Sequence, residues 1–152
     1  MKNIISVLLI ATLGVLLTFT GCKEDEYVPE PLPMVTVSGT VKADMNLATV
    51  GLEAVPNGTK VVFRINSQSL VQNPIAGYTY EVLQYETTVT DGKYTIQLPT
   101  SVHAGVPVTI TPVDFQANQT QADNSFKEVT YVGSVNTVNT QKGERFFVNL
   151  TY

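Results

Sequence analysis

From Met34 onward, apolar and polar residues alternate with a period of two, the spacing of strands that bury one face and wet the other. In Met34–Lys42, Val35, Val37, Gly39 and Val41 fall on one face, and Thr36, Ser38, Thr40 and Lys42 on the other. Lys60–Ile65 directs Val61, Phe63 and Ile65 inward, and Lys93–Leu98 does the same with Tyr94, Ile96 and Leu98. Tyr78–Thr90 is long enough for one strand or a bent pair, and Pro107–Val113, Glu128–Val132 and Arg145–Tyr152 bring the set to about seven. The last is the clearest, with Phe146, Val148, Leu150 and Tyr152 all on one side. Asp91-Gly92 is the strongest hairpin signal, because this pair accepts the positive φ angles of a two-residue turn. Pro56-Asn57-Gly58 supplies another turn, and Gly39, inside an apolar strand, marks a bulge or a close backbone approach. The polar stretch Gln116–Ser125 reads as an exposed loop or lid. Enrichment in Val, Thr, Tyr and Phe supports the same conclusion: an all-β chain of about seven strands, a sandwich or a barrel.

The first residues follow a different pattern. Lys2 precedes an apolar run from Ile4 to Phe19, and Phe19-Thr20-Gly21 leads into Cys22, the chain's one cysteine. A positive residue, an apolar stretch and small residues before a cysteine are what a lipoprotein signal peptidase acts on, although Phe19 stands where leucine is usual. The run is shorter than the roughly 20 apolar residues that a permanent transmembrane helix needs. Cys22 has no disulfide partner in the chain, and attachment of diacylglycerol to its thiol accounts for it. The expected organisation is a signal peptide over residues 1–21, an acylated cysteine with an acidic, proline-bearing tether over 22–33, and one sandwich domain over 34–152. Burial of two or three acyl chains holds such a protein on a membrane. No other cofactor is expected.

The string Cys22-Lys23-Glu24-Asp25-Glu26 resembles the export signal of surface lipoproteins in Bacteroidota. This resemblance implies a lipid-anchored outer-membrane protein facing the cell exterior. Repulsion among Glu24, Asp25 and Glu26 also keeps a tether extended. A second resemblance lies in Val37-Ser38-Gly39-Thr40-Val41, Pro56-Asn57-Gly58-Thr59-Lys60-Val61 and Thr90-Asp91-Gly92-Lys93-Tyr94-Thr95-Ile96-Gln97-Leu98-Pro99. These segments are similar to the transthyretin-like, or carboxypeptidase-regulatory-like, β-sandwich domain, and the resemblance implies that the all-β chain is an antiparallel Greek-key sandwich of about seven strands. The resemblance implies a spacer, an adhesion module or an accessory binding domain, and it specifies a fold rather than an activity. Some relatives carry an internal Lys–Asn crosslink promoted by a carboxylic acid, for which Lys42, Asn149 and Glu81 or Glu86 are the candidates. Alternation places Lys42 and Asn149 on the solvent side, where the lysine stays charged and unreactive.

The net charge of −4 becomes one unit more negative once Lys2 is lost, and the scattered lysines and arginines make no basic patch for nucleic acid. His103 is the one histidine and sits in a loop, and neither a GxSxG elbow nor an HExxH helix is present. No catalytic residue is therefore assigned. Asp114, Asn118, Asp123 and Asn124 offer oxygen ligands, but their spacing is not that of an EF-hand and Asx residues serve turns, so no metal is assigned. Among binding candidates, Tyr78, Tyr80 and Tyr85 cluster in sequence. Tyr78 and Tyr80 are expected on one strand face about 7 Å apart, a spacing suited to stacking sugar rings. Expected partners are the membrane through its lipid, and an extracellular glycan or an envelope protein. One alternative is an accessory glycan-binding protein of a polysaccharide uptake system. Another is an anchor or accessory subunit of a surface fibre, paired through the apolar final strand.

Overall fold

The computed structural model describes residues 30–152, and the leader, Cys22 and the Lys23–Glu26 string lie outside the described residues. Alternation becomes two facing sheets. The first is centred on β1 (Met34–Ala43), which pairs antiparallel with β5 (Lys93–Pro99) and, at its end, with β2 (Glu53–Ala54). On its other side β1 pairs parallel with β10 (Arg145–Phe147) and β11 (Leu150–Thr151). The second sheet has the order β4 (Val82–Thr88), β3 (Lys60–Asn66), β6 (Val106–Pro112) and β9 (Asn136–Thr140), every pair antiparallel. A ribbon of β7 (Phe115–Thr120) and β8 (Phe126–Tyr131) completes the eleven strands of the described residues.

The all-β sandwich expectation holds, with three differences of detail. The first strand runs parallel to the last two, a pairing that brings together segments with the other strands between them in sequence. Gln116–Ser125 is not all loop: β7 occupies its first half and only the tip Gln121–Ser125 turns. Its period-two signal is faint because Phe115 and Ala117 are its only apolar residues, and its stability comes from pairing with β8. Tyr78–Thr90 is not one long strand either, since pairing begins at Val82.

The core lies between the sheets. Val35, Val37 and Val41 from β1, Leu98 from β5 and Leu150 from β11 meet Val61, Phe63 and Ile65 from β3 and Val106, Val108 and Ile110 from β6. Each belongs to the inward set of its strand, so burial of these side chains, at about 1.5–3 kcal/mol apiece, rewards one register and penalises a one-residue slip. The ribbon is pinned by aromatics: Phe115 stacks on Tyr131 with ring centroids 4.8 Å apart and meets Tyr152 edge-on at 4.8 Å. Tyr152 donates its hydroxyl to the Val113 carbonyl at 2.6 Å, and Tyr131 donates to that of Asp44 at 3.1 Å.

Two turns read from the sequence lock one another. Asp91 and Gly92 take φ of 50° and 69°, and Thr90 and Lys93 exchange both backbone hydrogen bonds of a two-residue hairpin. The amide of Asp91 donates to Asn57 Oδ1 at 2.7 Å, tying this hairpin to the Pro56-Asn57-Gly58 turn. Gly39 is a close approach: a Cβ there would overlap the Val148 carbonyl. Tyr94, opposite Gly39 across the β1–β5 pair, reaches over that bare position and donates its hydroxyl to the same carbonyl at 2.7 Å. An aromatic laid over a cross-strand glycine restores the packing that the glycine lacks.

Candidate functional site

The three tyrosines do not form one surface. Tyr78 and Tyr80 precede β4 in an irregular segment, and their rings meet edge to face, with centroids 4.8 Å apart and planes at 67°. Tyr80 is partly buried, and its hydroxyl accepts a hydrogen bond from the Ile75 amide at 2.8 Å. The expected flat, strand-borne pair is therefore absent, because Gly77 at a φ of 78° turns the chain just before it and pairing starts only later. Tyr85 lies within β4 opposite Phe63 and packs against the core, away from the other two in role.

The remaining sequence candidates also separate. Asp114 accepts a hydrogen bond from the Gly133 amide across the open end of the ribbon, and Asp123 accepts two from Ser125 in the turn at its other end. The Ser125 hydroxyl and amide hold the Asp123 carboxyl below its ordinary range. No group of three or more metal-binding side chains occurs among the described residues. Lys42 and Asn149 are both exposed, as alternation implies, and Glu86 pairs with Lys60 at 3.1 Å. His103 is exposed in the Ser101–Gly105 loop, beside a recess of about 180 Å³ shared with Gln141 and Lys142.

The larger feature is on the outer face of the first sheet. A groove of about 690 Å³ is lined by Ser38, Gly39, Thr40, Thr87, Thr88, Thr90, Lys93, Tyr94, Thr95 and Phe147, a volume within the range of small-ligand sites. The sheet face that floors the groove at Ser38, Thr40, Lys93, Thr95 and Phe147, and continues beyond it to Thr36, Gln97, Arg145 and Asn149, follows from register. Thr95, Ser38 and Phe147 lie side by side across β5, β1 and β10, and the rows on either side run Gln97, Thr36, Arg145 and Lys93, Thr40, Asn149. Rows are about 7 Å apart along the strands and neighbours about 5 Å apart across them. Thr87 and Thr88, from the end of β4, and Thr90, from the hairpin, form a wall, with the Thr87 hydroxyl donating to the Thr95 carbonyl at 3.1 Å.

Eight of these nine positions on the sheet face are polar. The exception is Phe147, 68% exposed between Arg145 and Asn149 in the outward set of its strand. Asn149 Oδ1 accepts from the Thr40 amide at 3.2 Å and from its hydroxyl at 2.7 Å, which holds this corner of the sheet face together. The sequence reading missed this face because it followed the inward residues of the final strand. The available signal was an aromatic at the wrong parity, Phe147 beside the inward Phe146.

The chain matches no protein-family profile and no curated protein. Among solved structures it is similar to the dioxygenase domain of a dioxygenase and carbohydrate-binding protein fusion from the cellulolytic bacterium Streptomyces sp. SirexAA-E, at 10% identity over 83% of each chain and a TM-score of 0.39.

Proposed function

We propose that the protein is a lipid-anchored envelope protein, acylated on Cys22 and carried to the cell surface by the Lys23–Glu26 signal, whose sandwich holds a ligand without transforming it. The observation that carries the binding part is the groove's chemistry. Its side chains offer hydroxyls, one ammonium and one exposed phenyl, with no carboxylate, imidazole or thiol among them. Such a set donates and accepts hydrogen bonds and covers an apolar face, but it lacks the paired groups of differing pKa that acid–base catalysis uses. The anchoring part rests on the lipobox-like residues before Cys22 and on the acidic string after it.

Protease shaving of intact and lysed cells, with an epitope-tagged protein, tests the placement. Digestion on intact cells, with protection of a variant carrying alanine at Glu24, Asp25 and Glu26, is the expected result. Protection of both proteins on intact cells refutes surface exposure. A second reading, a subunit that joins another chain through its final strand, is favoured by β10 and β11 standing at the margin of their sheet, paired on one side with β1. Concentration-dependent oligomers in sedimentation would support it, and a monomer at all concentrations would count against self-association.

A further inference from the structure

A single exposed phenylalanine is ordinary on a protein surface, and Phe147 is set apart by what surrounds it. It is the one apolar side chain among nine outward positions of the sheet face, its neighbours are hydroxyl and amide groups, and Lys93, in the groove, and Arg145, just beyond it, stand at opposite corners. A sugar ring has the complementary chemistry: an apolar face of C–H bonds for an aromatic ring, and a rim of hydroxyls for Ser, Thr and Asn.

Charge narrows the class. The protein is acidic overall, with a net charge of −4, yet these nine positions hold two cations and no carboxylate. Among the described residues the ion pair found is Lys60–Glu86, and neither Lys93 nor Arg145 pairs with a described carboxylate. The two are separated by two strands across and four residues along, roughly 16 Å between backbone positions. That distance is too great for one carboxylate and fits two charged units of an extended chain. Resting on the reading of this groove as a ligand site, we propose that the outer face of the first sheet binds an acidic polysaccharide, with Phe147 stacked on a ring and Lys93 and Arg145 each pairing with a separate uronate carboxylate.

The test is affinity electrophoresis and calorimetry of the full-length, detergent-solubilised protein with polygalacturonate and with a neutral galactan. The expected result is retention by polygalacturonate that weakens as salt rises. Phe147→Ala should lower the affinity by about tenfold or more, and Lys93→Gln combined with Arg145→Gln should lower it roughly fivefold for the acidic chain alone. An unchanged melting temperature in each variant excludes unfolding as the cause. Unaltered affinity in Phe147→Ala overturns the assignment. Equal affinity for the galactan, abolished by Phe147→Ala, overturns the acidic class while leaving the groove as a ligand site. Failure of the native protein to retain either polymer overturns the saccharide proposal, and a ligand of another class displaced by Phe147→Ala would show that the groove reading survives it.

Discussion

Tyr78 and Phe147 stand in water to nearly the same extent, 63% and 68% exposed, but the chain supports them in different ways. Tyr78 belongs to an irregular segment and leans edge-on against Tyr80, whose hydroxyl is engaged by the Ile75 amide. Phe147 belongs to a strand whose register with β1 sets Ser38 beside it, with Thr95 beyond on β5. Exposure alone therefore does not distinguish a recognition surface from a loop packed on itself. A ring becomes useful when ladder hydrogen bonds hold the groups around it in place before any ligand arrives, so that little ordering entropy is lost on binding.

The strongest way to break this contrast is to attack the seam that supports Phe147. Gly39→Ala places a methyl group on the Val148 carbonyl and pushes β1 away from the final strand. A loss of about 3 kcal/mol or more in urea unfolding is expected, with the groove disrupted as well. Native-like stability in this variant would mean that the two strands separate at little cost.

Tyr94→Phe tests the same seam more gently. It leaves the Val148 carbonyl without its hydroxyl donor and should cost about 1–2 kcal/mol. Burial pushes the Tyr94 hydroxyl up to about 12 from an ordinary 10.0. Between those values the unfolded chain ionises while the fold does not, so stability is fully present below pH 10 and falls as pH rises through 12. Thermal melts across this range should therefore decline more steeply for the native protein than for Tyr94→Phe. Parallel declines would assign the effect to Tyr152, which burial also raises to about 12, and to Tyr131, which burial raises as well.

Asn149→Ala removes the acceptor of the Thr40 amide and hydroxyl at an exposed corner, where water substitutes in part. A cost of about 0.5–1 kcal/mol is expected, with faster hydrogen exchange at the Thr40 amide as the local readout. Unchanged exchange there would show that the side chain is not what holds this corner. The smallest effect belongs to Tyr78→Ala, which loses an edge-to-face contact in a loop and should shift stability by no more than about 0.5 kcal/mol. Polysaccharide retention should be unaltered, and a loss comparable to that of Phe147→Ala would return the site to the tyrosines.

Much of the core was legible because burial and alternation coincide: Val35, Val37 and Val41, Phe63 and Ile65, and Leu98 and Leu150 are inward in the pattern and buried in the fold. Asp91-Gly92 was legible because few residue pairs accept two consecutive positive φ angles. β7 and β9 were not, since FQANQT and NTVNT hold too few apolar residues to show a period and become strands through the partners that complete their hydrogen bonds. The Tyr78–Tyr80 reading failed for the opposite reason. Aromatics with strand propensity fell just outside the region where a neighbouring strand was available.

By itself the sequence determined which face of each major strand turns inward, where the tight hairpin falls, and that an acidic string follows a cysteine preceded by small residues. Side-chain direction and turn angles are local properties, set by covalent geometry and steric exclusion within a few residues. Only the tertiary structure decided that the first and last strands run parallel, that Tyr94 covers Gly39, and that Lys93, Arg145 and Phe147 share one surface. These depend on contacts between residues distant in the chain, and the free energy that selects them appears only when two complete sheets bury their apolar faces against each other.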